Sequence, residues 1–458
     1  MKPRRLTLTL ALVAVAALVV SAGASANGSK LILSDPFTTQ GGCQHKTVVE
    51  PDTFSGGSTI VAVAELGLCT DGGATGIGFA TSTNNGVSWT SGALPGITRY
   101  TNPPGPYDEA AAPSVAFDAR HNVWIAVSVG LKTTTSQTGA AVLASRSTNG
   151  GATWTNPVIV ASAGAGQNFE KPWIVCDNGS ASLSYGTCYV QFDDRGHSSR
   201  LMLSASTDGG LTWIARSVPS ISAYGGQPLV QPSGKLIIPI DNPSETTLGA
   251  LVSTNIGWTF VTITSITAAP EPGSFRSGPL PSAEIDGAGR VFVTWEDCRF
   301  RVGCPNAGTP NDLVYVTSSD GINWSAVQRI PIDSVTSAVD HFLPGTGVDK
   351  ATSGSGAHVS VTYYYFPSVN CTLSTCQLDA GSISSANGAA TWSAPVQFAG
   401  PMPLNLLPLI GQSPTVGDYI STSFAGNGTS HGAVIVAKPP PLTEPFNVAL
   451  YDPPVRFR

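Results

Sequence analysis

Ser82-Thr-Asn-Asn-Gly-Val-Ser-Trp89 returns along the chain as Ser147-Thr-Asn-Gly-Gly-Ala-Thr-Trp154, Ser206-Thr-Asp-Gly-Gly-Leu-Thr-Trp213 and Ser385-Ala-Asn-Gly-Ala-Ala-Thr-Trp392. Shortened copies are Ser253-Thr-Asn-Ile-Gly-Trp258 and Ser318-Ser-Asp-Gly-Ile-Asn-Trp324. Asn or Asp accepts backbone N–H bonds and tolerates left-handed geometry, Gly supplies positive φ, and Trp buries a large ring, so the string reads as a tight turn. Alternating apolar runs lead into it, as in Ala141-Val-Leu-Ala-Ser and Leu201-Met-Leu-Ser-Ala, so the turn joins two strands. The six tryptophans are 65, 59, 45, 66 and 68 residues apart, a repeat of about 61 residues that uses six of the nine Trp in the chain.

These strings resemble the Asp-box, or BNR, repeat of the sialidase-like β-propellers, with box positions Asn84, Asn149, Asp208, Asn255, Asp320 and Asn387. The resemblance implies an all-β propeller. The box also resembles those of propellers that are not sialidases, sorting receptors and xyloglucan hydrolases among them, so it speaks to fold more than to activity. A second periodicity sets the blade count. Proline opens an apolar run at Pro113, Pro172, Pro228, Pro281, Pro344 and Pro414, and Thr47 to Asp52 holds the same phase without a proline. Seven first strands against six boxes predict seven four-stranded blades, the last lacking a box and completed by Lys30-Leu-Ile-Leu-Ser from the N-terminal end. Such closure hides sheet edges. A six-bladed sialidase ring is the alternative.

Composition narrows the class. The 458 residues are 41% hydrophobic and only 11% charged, with a formal net charge of -6, so the electrostatic footprint of a nucleic-acid binder is absent. Gly and Pro, 50 and 35 residues, exceed the usual share without reaching that of low-complexity chains. Lys2, Arg4 and Arg5, the apolar run Leu6 to Val20 and the small residues Ala24-Ser25-Ala26 read as a secretory signal cleaved after Ala26. Residues 27–458 are then expected to form one propeller domain, secreted or periplasmic, monomeric and without a membrane span. Eight cysteines in an exported chain imply disulfides. They fall into near neighbours, Cys43 and Cys69, Cys176 and Cys188, Cys298 and Cys304, Cys371 and Cys376, although eight cysteines allow 105 connectivities.

In a box-turn propeller the ligand-binding mouth is the end opposite the boxes, where residues before first strands and at the ends of second strands converge. There the sequence places His45, Lys46, Asp108, Glu109, Glu170, Lys171, Arg276, Asp340 and His341, then Glu65, Asp193-Asp194-Arg195, Asp241, Glu296-Asp297, Arg299, Arg301 and Tyr363 to Tyr365, with Asp418 and Tyr419 in the last inner strand. The expected partner is an extracellular glycan or glycoprotein. The sialidase resemblance implies three arginines that clamp a carboxylate, an Asp acid/base and a Tyr nucleophile polarised by a Glu. Arg195, Arg276 and Arg299 are the candidates for the clamp, Asp108 for the acid, and Tyr364 or Tyr419 for the nucleophile with Glu296. The Phe/Tyr-Arg-Ile-Pro string that carries the first clamp arginine is absent, and Phe275-Arg276-Ser-Gly-Pro stands nearest to it. The resemblance thus implies an exo-α-sialidase. The other readings are a glycan- or protein-binding propeller without chemistry, and a hydrolase of a neutral polysaccharide working through two carboxylates such as Asp193 and Glu296. No nucleophile elbow, phosphate loop, dinucleotide fingerprint or HExxH string occurs. No metal or other cofactor is expected, since a structural Ca²⁺ would need oxygen-ligand spacing that is missing.

Overall fold

The computed structural model describes residues 28–38, 42–133, 136–254 and 257–457. The expected signal segment and Asn255 lie outside the described residues. Among the described residues the structure is strands and loops, with four three-residue 3-10 turns as its only helical segments.

The strands follow one another as antiparallel meanders. The first sheet is Cys43–Gly56, Thr59–Cys69, Ala74–Ser82 and Thr90–Ala93; the second is Glu109–Asp118, Val123–Lys132, Thr138–Ser147 and Val158–Ser162. A single residue pair, Ala74 with Ala110, joins these two sheets. The third sheet starts with Phe169–Cys176, the fourth with Tyr224–Gly226 and Leu229–Val230, the fifth with Ser282–Ile285 and the sixth with Asp340–Val348. The seventh orders Ser421–Phe424, Thr429–Ala437 and Val448–Asp452, and Lys30–Leu33 adds antiparallel to the last of these.

First strands pack side by side through the whole series, and the strand Ser421–Phe424 packs back on Cys43–Gly56. Side chains tie these neighbours together. Val115 N donates to Asp52 Oδ2 at 2.9 Å, Ile174 N to Ser114 Oγ at 3.3 Å and Thr346 N to Ser282 Oγ at 2.9 Å. Thr422 Oγ1 donates to Gly345 O at 2.8 Å, and Ser423 Oγ meets Ser55 Oγ at 2.7 Å. Apolar faces fill the spaces between sheets, with Trp295, Tyr364, Phe292 and Phe342 fully buried.

The recurring turns share one bonding pattern. Ser147 Oγ donates to Asn149 Oδ1 at 2.9 Å and receives Gly151 N at 3.0 Å, and Asn149 Oδ1 receives Thr153 N at 3.0 Å. The same set holds Ser206, Asp208, Gly210 and Thr212. Gly151 and Gly210 of these turns press on the preceding sheet at positive φ, whereas Ala389 (φ 71°) holds the same place in the last copy. Gly210 has φ +80°, and a Cβ there would stand 2.8 Å from Ile125 Cδ1. Gly210→Ala is expected to cost about 2–4 kcal/mol, from left-handed strain and overpacking together. Urea unfolding measures it, and a change below about 0.5 kcal/mol would mean that the turn is free to shift.

All four cysteine pairs form as neighbours: Cys43–Cys69, Cys176–Cys188, Cys298–Cys304 and Cys371–Cys376. The proline periodicity needs correction. Pro228 and Pro281 open strands as expected, but in four sheets the proline sits inside the first strand, after a residue at positive φ: Glu50 (φ 56°) before Pro51, Ala112 (51°) before Pro113, Lys171 (46°) before Pro172 and Leu343 (52°) before Pro344. The first sheet therefore has its proline, four residues beyond Thr47. Pro414 instead belongs to a two-residue hairpin with Leu409–Ile410, and the last inner strand starts at Ser421, after Asp418 and Tyr419.

Candidate functional site

The left-handed residues break the first-strand ladders and leave backbone N–H groups that need acceptors. Acids at the ends of neighbouring second strands supply several of them. Ala112 N donates to Glu65 Oε1 at 2.8 Å, Gly225 N to Asp193 Oδ2 at 2.6 Å and Leu343 N to Glu296 Oε2 at 2.9 Å. Three of the acids expected at the mouth are thus buried acceptors between sheets. Burial pushes Glu65 and Asp193 well above the usual carboxylate range, and Glu296 up to about 7.

The same bulges aim Glu50 and Lys171 toward the axis. Lys171 Nζ stands 2.5 Å from Asp418 Oδ2 and 3.7 Å from Glu50 Oε1, and 5.1 Å from the centre of the Tyr224 ring. Arg276 grips Asp418 from the other side: Nη1 on Oδ1, and Nη2 on Oδ2 at 3.1 Å. Burial alone would raise the Asp418 carboxyl, but Lys171 and Arg276 hold it far below its ordinary value. Glu50 is different. Burial raises it, Lys171 only partly offsets that, and it hydrogen-bonds Glu65. Glu65 Oε2 is buried with no N–H or hydroxyl donor. Two carboxyls bonded to each other must share a proton. An ionised carboxylate, Asp418, thus faces a proton-carrying pair across one ammonium.

These groups line a cleft of about 90 Å³ together with Asp71, Gln137, Glu170 and Arg195. Arg195 is about half exposed and pairs with Glu170 at 3.4 Å. Beneath Lys171 and Asp418 the axis continues as an apolar space lined by Pro172, Trp173, Pro281, Pro344 and Tyr419. Beside the charged cleft, a second and wider one of about 650 Å³ is lined by Glu245, Glu271, Ser277 and Glu296.

Of the residues expected to act together, Arg195 and Arg276 meet in the charged cleft and Tyr419 lies below it. The others do not join them. Arg299 is held by Asp297, through Nε at 2.8 Å and Nη2 at 2.7 Å, and by Thr264 Oγ1 at 3.2 Å, so no third arginine completes a clamp. Asp108 pairs with Arg99 and accepts Thr133 N at 3.0 Å. Tyr364 is fully buried, its hydroxyl donating to Ile435 O and accepting from Ile435 N, both at 2.8 Å, so it is a core residue out of reach of a substrate. Tyr419 donates to Pro113 O at 2.8 Å, and burial drives its phenol well above the ordinary range, which opposes a nucleophilic role. Glu296 belongs to the second cleft. His341 is buried, and burial lowers it to about 4, so it stays neutral in the core.

Sequence reasoning passed over Glu50, Tyr224 and Glu271. The missed signal for Glu50 was an acid immediately before a proline, in the phase of Ala112-Pro113 and Lys171-Pro172.

No protein-family model and no curated protein matches the chain. Solved structures similar to it include a Hadza microbial sialidase, at 14% identity and a TM-score of 0.48, over 70% of this chain and 64% of that one. Another is the alpha-L-arabinofuranosidase from Fusarium graminearum, at 13% identity and a TM-score of 0.47, over 76% of this chain and 93% of that one. A third is the alpha-L-arabinanase of Penicillium chrysogenum, at 16% identity and a TM-score of 0.43, over 75% of this chain and 92% of that one.

Proposed function

We propose that the protein is an exported glycoside hydrolase acting on neutral glycans, with residues 27–458 forming a seven-bladed propeller and its charged axial cleft as the active site. The observation that carries this reading is the placement of Glu50 and Asp418 around Lys171 Nζ, at 3.7 and 2.5 Å, and the opposite shifts of the two carboxyls, Glu50 raised by burial and Asp418 lowered by its cations, support it. Glycosidic cleavage uses one carboxyl to protonate the leaving oxygen and a second to face the positive charge at the anomeric carbon. Glu50, which lines the cleft, delivers the shared proton; Asp418 faces the developing charge; the proton lost by the incoming water returns to the pair. Both carboxylates touch Lys171 Nζ, so their oxygens are no farther apart than the sum of 3.7 and 2.5 Å. That favours the roughly 5–5.5 Å separation of retaining enzymes over the roughly 6.5–9.5 Å of inverting ones.

A neutral substrate fits better than sialic acid. Glu50, Glu65, Asp71, Glu170 and Asp418 outnumber Lys171, Arg195 and Arg276 in the cleft, and each of these cations already has an acid partner. The same pairing favours the second reading, glycan binding without hydrolysis. Fluorogenic neutral glycosides (α-L-arabinofuranoside, β-D-galactoside) beside an α-sialoside separate the readings. Turnover of a neutral substrate is expected, falling about 10²–10⁴-fold in Glu50→Gln. Turnover of the sialoside alone would restore the arginine-clamp reading. Binding of glycans with no turnover would leave a binding propeller.

A further inference from the structure

Tyr364 and Tyr419, the tyrosines expected at the mouth, both bond the backbone, at Ile435 and at Pro113 O. Tyr224 differs from them. It lines the charged cleft, is partly exposed, and its hydroxyl makes no hydrogen bond among the described residues. The charged groups around it are engaged with one another: Lys171 and Arg276 with Asp418, Glu50 with Lys171 and Glu65, Arg195 with Glu170. The Gln137 amide donates to Glu109 at 3.1 Å. Tyr224 thus offers the cleft a neutral hydroxyl that a ligand can reach and that has nothing in the chain to bind.

The fold holds this residue in place. Ala223 N donates to Ser199 O at 2.8 Å, Gly225 N donates to Asp193 Oδ2 at 2.6 Å, and Tyr224 itself pairs with Asp241 on the next strand of its sheet. The ring stands against Lys171, whose Nζ is 5.1 Å from its centre. A side chain fixed on several sides has little freedom to lose when it binds a ligand. Lys171 draws the phenol's pKa down, but burial and the carboxylates of Asp418 and Glu170 outweigh it and leave the phenol above its ordinary value. Tyr224 therefore keeps its proton at neutral pH, and its hydroxyl both donates and accepts.

Tyr224 also lies within electrostatic reach of Asp418, the carboxylate that faces the anomeric carbon in the proposed mechanism. A neutral hydroxyl in that position is in reach of the substituent on the next ring carbon. As positive charge grows at the anomeric centre, a hydroxyl on that carbon becomes a better donor, and its hydrogen bond tightens toward the transition state. We infer that the Tyr224 hydroxyl binds the hydroxyl group next to the anomeric carbon, and that the protein selects neutral glycosides with a free hydroxyl there. Arabinosides and galactosides carry one. 2-Deoxy sugars, 2-acetamido sugars and sialosides do not. The inference rests on the proposed glycosidase reading for the role of Asp418, whereas recognition of the hydroxyl by Tyr224 is measurable by binding alone.

Hydrolysis of the preferred fluorogenic glycoside and of its 2-deoxy counterpart, by the full chain and by Tyr224→Phe, tests this. The substitution is expected to lower kcat/KM about 10–100-fold on the first substrate, chiefly through kcat, and about twofold or less on the second, which has no hydroxyl there to lose. Phe keeps the ring against Lys171, so thermal melts of the two proteins should coincide. Equal losses on both substrates, the mark of a merely structural role, or no loss on either would overturn the inference and leave the glycosidase reading standing. Turnover of a sialoside alone would sink both. If the wild type hydrolyses nothing, calorimetric titration with galactose, arabinose and their 2-deoxy counterparts decides. Binding at least about tenfold tighter with the hydroxyl than without it, and a difference that vanishes in Tyr224→Phe, would keep the Tyr224 contact and sink the glycosidase. No such difference, or no binding, would sink both.

Discussion

Replacing Asp418 by alanine is expected to cost about 3–5 kcal/mol of folding stability and, under the proposed glycosidase function, to abolish hydrolysis. The carboxylate is the shared partner of two cations: Lys171, whose side chain is 6% exposed, and Arg276, which it binds through both oxygens. Without it Lys171 keeps only Glu50, at 3.7 Å, and Glu50 is already engaged with Glu65. A buried ammonium that loses its nearest carboxylate loses far more than an exposed ion pair is worth. Lys171→Met combined with Asp418→Asn should restore most of the stability without restoring turnover, because the charge and the orphan are removed together. Urea unfolding of the two single variants and the double variant gives the coupling between the residues. A loss below about 1 kcal/mol in Asp418→Ala would mean that solvent replaces the carboxylate, and the cluster would then be open at the surface.

Stability is expected to fall as the pH rises from about 5 to 8, the reverse of a protein held together by ionised acids. Burial raises Asp52 and Asp379 to about 6, Glu296 to about 7 and Asp241 to about 8. Unfolding returns each to its ordinary value near 4, so between the two values the folded chain binds more protons than the unfolded one. Stability therefore decreases with pH across that interval. For Glu296 alone the loss amounts to about 3 kcal/mol once the pH passes 7. At the other end Asp208 and Asp320, lowered to about 2 by the hydrogen bonds of their turns despite the opposing effect of desolvation, contribute stability above pH 4 that is lost as the pH falls to 2. The optimum thus lies near pH 4 to 5. Calorimetry at pH 5 and pH 8 should give the higher Tm at pH 5, and Glu296→Gln should narrow the difference, since an amide keeps the bond to Leu343 N without a charge to bury. A higher Tm at pH 8 would mean that these acids are hydrated in solution.

The local features were legible because their causes are local. Ser-x-Asn-Gly-Gly-x-Thr-Trp writes out a turn in which every donor and acceptor lies within five residues, as the bonds among Ser147, Asn149, Gly151 and Thr153 demonstrate. Cysteines that flank a pair of adjacent strands have few other partners within reach, and all four neighbouring pairs close. Lys30–Leu33 passes over the strand that follows it, Cys43–Gly56, and pairs with Val448–Asp452 at the far end of the chain, as the count of seven first strands against six boxes required.

The site was legible only in part. A count of charged residues near strand ends found Glu65, Lys171, Arg195, Arg276, Glu296 and Asp418, but strand ends say nothing about direction. Arg299 turns back onto Asp297 two residues away, and Tyr364 turns into the space between sheets, where Ile435 receives its hydroxyl. Glu50 was hidden inside Val48-Val49-Glu50-Pro51, which reads as core until the left-handed bend at Glu50 swings its side chain to the axis.

The sequence by itself determined the turn chemistry and the strand repeat, each settled by backbone sterics and hydrogen bonding over a few residues, and it suggested the disulfide partners that the structure then selected. Only the tertiary structure decided that Glu50, Lys171, Arg276 and Asp418 form one cluster. They come from four different sheets or the links before them, up to 368 residues apart; strand bulges turn Glu50 and Lys171 toward a common axis, and the links before two other inner strands bring Arg276 and Asp418 to them. The relative rotation of neighbouring sheets is set by packing across the whole ring, and no short stretch of sequence carries it.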